Sequence, residues 1–329
     1  MKTNSSAMQL SAVIATAALC AGLSVPVAAQ SDFPAKNLQM VVPYTAGGSA
    51  DAMSRAIAQR LSAAWGKNIV IDNRAGASGM IGAELVAKAE PDGYTLLGTT
   101  SSYPATAATR AKLPFDPTKA IVAVGTIARA PMLVAVHPSV PVKNIKELIA
   151  LAKKNPGKFN YGSSGTGGNN HFSGALFAAA AGIKMVHVPY KGISLAVTAV
   201  ASGEIEILIS SSSALLPITQ GNRVRILGVT SLEKSAMFPD VPTVASQGAP
   251  GYEYQLWWGI FAPAGLPADR LAFITAAINK IVASGDMKKF LDAQGAEPWT
   301  LPAAKLATLL PDEIARYKKA AQIAGIKPQ

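Results

Sequence analysis

In Met40-Val41-Val42-Pro43-Tyr44-Thr45-Ala46-Gly47-Gly48-Ser49-Ala50-Asp51, an apolar β-branched run gives way to a proline, two glycines and a helix start. The run reads as a buried strand that Pro43 ends. The Gly-Gly turn carries no side chains to block close approach to its backbone. Met53, Ile57, Leu61, Ala64 and Trp65 then recur at three- and four-residue steps, so a helix begins near Ser49 to Asp51. Strand, glycine turn and helix N-terminus together present unpaired N–H groups and a positive dipole end, a geometry that binds anions. The same residues also suit an ordinary turn capped by Ser49 or Asp51.

The first 29 residues stand apart. Lys2 is followed by an apolar, alanine-rich run from Leu10 to Val27, and Val27-Ala28-Ala29 offers small residues for cleavage after Ala29. That is the pattern of a secretory signal peptide, and the run is short of the roughly 20 residues a membrane span needs. The single cysteine, Cys20, falls inside it, so the exported chain has no thiol for catalysis or metal binding. A chain of this length buries a large core without disulfides. The net charge is +11, but Lys and Arg are scattered, with doublets such as Lys153-Lys154 and no basic run interleaved with aromatics. The charge therefore speaks for drawing in anionic solutes and against nucleic-acid binding.

From Gln30 to about Arg129, strands at 38–43, 68–72, 94–99 and 121–127 alternate with helices. Ile81, Leu85 and Ala89 form the apolar face of the second helix. A second alternating set, with strands at 132–136, 159–163, 185–188, 205–209 and 224–230, runs to Tyr252. Asn144 can cap a helix over 145–154, and Gly182 and Gly203 suit helix ends. A strand at 255–262 then leads into helical sequence, in which Pro311 should break or kink the last helix. The reading is α/β, with parallel sheets covered on both faces. Its domains are 30–130 plus 253–329, the tail returning to the first sheet, and 131–252.

Five polar turns follow strand ends on the edge where open α/β sheets bind ligands. They are Ala46 to Ser49, Gly76-Ala77-Ser78-Gly79, Thr99 to Ser102, Ser163 to Asn170, and Ser210-Ser211-Ser212-Ser213. Any one alone is plain turn chemistry; five together describe a polar cleft for a small solute. There is no G-x-S-x-G, no P-loop and no H-E-x-x-H, and carboxylates are sparse in the turns. No catalytic residue, metal ligand or cofactor is therefore expected. His137 and His187 read as structural, whereas His171 begins a helix beside the Gly165 to Asn170 loop and either shapes the cleft or is structural. Trp257 and Trp258 read as core, and Tyr44 could flank a ligand.

Read together, several segments resemble a known family: Val42 to Gly48 with Asp51, Asn73 to Gly79 with Gly82, and Pro91 to Leu97. Asn155-Pro156-Gly157-Lys158, Tyr161 to Gly165, His187 to Gly192, Pro239 to Thr243 and Phe261 to Gly265 complete the resemblance. The family is the Bug, or TctC-like, solute receptors of tripartite tricarboxylate transporters. It implies a monomeric periplasmic receptor of the two-lobed type II binding-protein fold, each lobe a mainly parallel sheet flanked by helices. The lobes would close on a small carboxylate and deliver it to membrane permease subunits. By this resemblance the ligand meets Tyr44, Ala46, Gly47, Gly48 and Ser49, with Ala77, Ser78, Gly79 and Ser101, from the first domain. Gly165, Thr166, Gly167, Asn169, Ser210 and Ser211 would come from the second.

Three positions depart from the family pattern. Gly168 stands where Thr or Ser is frequent, Ala175 where a Glu often follows the histidine by four, and Ser210-Ser211 where many relatives carry Asp or Asn. Fewer acidic groups in the cleft would disfavour a ligand ammonium and favour a non-amino mono- or dicarboxylate. Two other readings stay open: an extracytoplasmic co-sensor for a signalling kinase, and a secreted hydrolase using Ser163 or Ser164 with His171.

Overall fold

The computed structural model describes residues 33–328. The expected signal segment and its cleavage point after Ala29 lie outside the described residues. From Pro34 onward the chain forms one compact unit holding two β-sheets.

The first sheet has six strands in the order β11-β4-β10-β3-β1-β2. They are β1 (Leu38–Val42), β2 (Ile69–Asn73), β3 (Thr95–Thr100), β4 (Ile121–Pro131), β10 (Gln255–Pro263) and β11 (Glu297–Pro298). Helices α1 (Ser49–Trp65), α2 (Met80–Ala87) and α3 (Ser102–Thr109) follow the first three strands. The C-terminal helices α8 (Ala268–Val282), α9 (Gly285–Ala293) and α10 (Ala303–Ala324) return to this sheet. The second sheet has five strands in the order β7-β6-β8-β5-β9. These are β5 (Leu133–Val136), β6 (Asn160–Ser163), β7 (Val186–Pro189), β8 (Ile207–Ser210) and β9 (Arg225–Val229). Between them lie α4 (Ile145–Lys154), α5 (Asn169–Ala181), α6 (Ile193–Ser202) and α7 (Ser212–Thr219).

Both sheets are mixed rather than purely parallel. β1 runs parallel to β2 and β3, and β6 to β7 and β8. The strands next to the chain's passages between sheets run the other way: β10 against β3 and β4, and β5 against β8 and β9. A strand entering a sheet from the neighbouring one arrives at the opposite end from a βα crossover, and so pairs antiparallel.

Local signals placed most elements. Asn144 caps α4 by accepting the Glu147 N–H at 2.9 Å, and Gly182 and Gly203 end α5 and α6 in the left-handed conformation. Trp257 and Trp258 are core, with Trp257 Nε1 donating to Glu313 at 2.7 Å. Two expectations need correction. In α2 the buried residues are Met80, Gly82, Ala83 and Val86, of which Met80, Ala83 and Val86 pack with Val41, Leu97 and Phe261, whereas Ile81 and Leu85 are 54% and 37% exposed. Of the break or kink expected at Pro311, the break does not occur, and α10 runs through it. Leu306, Leu309 and Leu310 before it and Ile314, Tyr317 and Ala321 after it are all buried. Their burial offsets the roughly 3 kcal/mol an interior proline costs.

Two chain passages join the sheets, one at Met132 and one running from Thr230 to Tyr254, and Thr230 laces them together. Its Oγ1 accepts the Met132 N–H at 2.7 Å and donates to the Tyr254 carbonyl at 2.6 Å. Its own N–H and carbonyl pair with the Met132 carbonyl and the Tyr254 N–H at 2.9 and 3.0 Å.

Candidate functional site

The turns after the strands of both sheets line one cavity of about 920 Å³. Helices begin at its wall. α1 starts at Gly48, α5 at Gly168, α6 at Gly192 and α7 at Ser211, and none of these four N-cap residues makes a side-chain cap, although the Asn169 N–H of α5 donates to Ser102 Oγ at 3.3 Å. First-turn N–H groups have no intrahelical acceptor, and each helix start carries roughly half a positive charge. Ser49 and Ala50 of α1, Asn169 and Asn170 of α5, Ile193 and Ser194 of α6, and Ser213 of α7 all line the cavity. Its one charged lining residue among those described is Lys191, and no carboxylate lines it. Pro43, Met132, Val197 and Leu256 supply apolar wall between the poles.

The Gly76–Gly79 turn is strained into shape. Four consecutive residues have positive φ: Gly76 (141°), Ala77 (49°), Ser78 (53°) and Gly79 (96°). For Ala77 and Ser78 the left-handed conformation costs on the order of 1–2 kcal/mol each. The turn is held by Gly79 N–H on the Gly76 carbonyl, Arg110 on the Ala77 carbonyl and Thr106 on the Ser78 carbonyl. Ser78 Oγ donates across the cleft to the Thr166 carbonyl at 3.3 Å. The N–H groups of Ala77 and Ser78 remain as the donors this turn offers among the described residues.

Asp51 does not cap α1. Its carboxylate, only 4% exposed, accepts the Gly47 N–H, Asn73 Nδ2 and Arg55 Nε, each at 3.0 Å. The Gly47 amide, expected to face a ligand, is therefore taken, and Asp51 clamps the Gly-Gly turn instead. Burial alone would push the Asp51 carboxyl up. The bonds from Arg55, Gly47 and Asn73, with the Arg55 charge, outweigh it and hold the group below its ordinary value. Its stabilising contribution is complete above the unfolded value of about 3.9 and is lost as pH falls through the depressed folded value. Asp51→Asn should therefore unfold more easily than wild type at about pH 6, and urea titrations of the two should converge as the pH falls through the depressed folded value.

The other residues named from sequence divide clearly. Tyr44, Gly47, Gly48, Ser49, Ala77, Ser78, Gly79, Gly165, Asn169, Ser210 and Ser211 line the cavity. Ala46 is exposed and does not. Ser101 is fully buried, donating to Asn169 Oδ1 at 3.1 Å, and Tyr254 donates to the same oxygen at 2.8 Å. Ser101 thus ties the α5 start to the first sheet rather than facing the cavity. Thr166 and Gly167 turn away as well: the Gly167 N–H goes to His171 Nδ1, and Thr166 lines a different cavity. A sixth turn, Tyr190 to Ser194, lines the main cavity and repeats the opening pattern of strand, glycine and helix. The Pro189-Tyr190-Lys191-Gly192 run before an apolar helix was the signal that could have marked it, and Gly192 takes φ 118° there.

Among the described residues no Ser–His–carboxylate arrangement forms. His171 bonds neither Ser163 nor Ser164. Ser163 Oγ lies 2.6 Å from His187 Nε2 and also pairs with the Gly165 backbone, fully buried. No Asp or Glu oxygen bonds either imidazole among the described residues, so the orienting carboxylate a triad requires is absent from both.

A sequence profile described as the tripartite tricarboxylate transporter family receptor, TctC, matches residues 53–326. The chain belongs to this family. BugT of Bordetella pertussis is 31% identical to it, over 97% of this chain and 98% of BugT. Among solved structures, the R. palustris Rpa4515 protein with adipate is 34% identical and superposes with a TM-score of 0.86, covering 90% of this chain and all of that one. MatC from Rhodopseudomonas palustris with bound malate is 27% identical, with a TM-score of 0.79 over 88% and 99% of the two chains. As a TctC-family protein the chain has the two-lobed fold of periplasmic solute-binding receptors, and the cavity lies between its two sheets.

Proposed function

We propose that this TctC-family protein is an exported periplasmic receptor, released by cleavage after Ala29. It binds a small carboxylate between its lobes and delivers it to the membrane permease of a tripartite tricarboxylate transporter. One lobe is residues 30–130 with 253–329, the other 131–252, and the protein works as a monomer. The observation that carries the reading is the meeting of four helix starts, whose N-cap residues make no side-chain cap, and Lys191 on a cavity with no carboxylate in its wall. Such a wall stabilises negative charge by fixed dipoles and N–H donors already in position.

A ligand ammonium finds no counter-charge there. The ligand is therefore a non-amino mono- or dicarboxylate. Its carboxylate rests on the α1 start and the Ala77-Ser78 amides, and its other end faces the α6 and α7 starts. Adipate and malate, bound by the two relatives, are the first compounds to try. A ligand that binds only the folded state stabilises it by about 2.7 kcal/mol at a hundredfold excess over Kd. A thermal-shift screen should show simple carboxylates raising the melting temperature and glutamate or 4-aminobutyrate leaving it unchanged. Stabilisation by the amino acids alone would overturn the assignment.

A further inference from the structure

The turn that gives Gly165 and Gly168 to the main cavity gives Thr166 to a second one, of about 750 Å³. Its wall includes Tyr161, His171, Ala175, Lys184, His187 and Lys327. His171 is 8% exposed and stacks on His187, with ring centroids 3.8 Å apart and planes 14° from parallel. The Gly167 N–H donates to His171 Nδ1 at 3.1 Å, which fixes the ring proton on Nε2. No described residue accepts that proton. Because His171 lines the cavity, this N–H stands open to it and can donate to a molecule held there.

The surroundings specify the acceptor's charge. Lys184 and Lys327 are exposed on the rim without an ion-pair partner among the described residues, and no Asp or Glu lines the wall. Burial pushes the His171 imidazole down to about 4. Burial together with the His171 neighbour pushes His187 down to about 3, so both rings are neutral near pH 7 and act as hydrogen-bonding groups. Ala175, one turn after His171 on α5, leaves room where a larger side chain would stand.

We propose that this second cavity is a binding site for a small carboxylate anion, held by the His171 Nε2–H and the ammonium groups of Lys184 and Lys327. It is independent of the main cavity and of what that cavity binds. Sodium acetate is the probe, titrated against sodium chloride at matched ionic strength while the His171 and His187 ring resonances of the exported chain are followed by NMR. A saturable shift at both rings is expected. The double variant Lys184→Ala with Lys327→Ala, both at exposed positions, should weaken acetate about tenfold or more. Ala175→Glu should move the His171 resonance without acetate and abolish the titration, because it supplies the acceptor internally. In Gly48→Leu, which fills the main cavity, the titration should persist. Absence of a saturable shift, indifference to loss of the two lysines, or loss of the titration in Gly48→Leu would each overturn the assignment.

Discussion

Replacing Gly48 with leucine is expected to abolish solute binding, by about a hundredfold or more, without lowering the melting temperature. Gly48 sits at φ −81°, ψ 170°, extended backbone open to any residue. A Cβ placed there meets only the Thr45 carbonyl, at 3.7 Å. Since Gly48 lines the main cavity, the remaining open space around that Cβ is the cavity, and leucine would project into it at the start of α1. Neighbouring Gly47 differs: its φ of 81° strains any side chain, so a variant there would confuse loss of fold with loss of binding. Calorimetry with the solute found by the thermal screen decides the matter, and unchanged affinity would remove the α1 turn from the site.

Thr230→Val should cost about 3 kcal/mol of stability. Valine keeps the shape of threonine but replaces its hydroxyl, which at this fully buried position serves two backbone groups at once. The Met132 N–H and the Tyr254 carbonyl would both be left unpaired, at about 1–3 kcal/mol apiece. Thr230→Ser keeps the hydroxyl and should lie within about 1 kcal/mol of wild type. Urea unfolding of the three proteins makes the comparison, and a valine variant as stable as the serine one would show that the lacing carries no weight.

Much of this architecture could be read from local pattern. The β1 strand, the start of α1 near Ser49, the Asn144 cap and the glycine helix ends each depend on residues next to one another in the chain. The failures depend on distant partners. In α2, both faces carry apolar residues over only eight positions, and packing against Val41, Leu97 and Phe261 decides which side is buried. Ser101 and Ser102 are equivalent as turn residues. Asn169, far away in sequence, draws Ser101 out of the cavity, whereas Ser102 lines it. Asp51 had the composition of a helix cap, yet Arg55 and Asn73 fix its carboxylate on the Gly47 amide. His171 followed a polar turn that does line the cleft, but its ring stacks on His187 behind that turn.

The position of β10 has a consequence for how the chain assembles. It lies between β3 and β4, yet it is made only after every strand of the five-stranded sheet. A polypeptide emerging from its amino end therefore has all of residues 133–229 available to complete the second sheet while β3 and β4 still expose open edges to each other. Closing a loop of this length costs little extra free energy, but pairing across it is slow. The interval before residues 255–263 arrive is when the chain is most prone to pair with other chains through those edges.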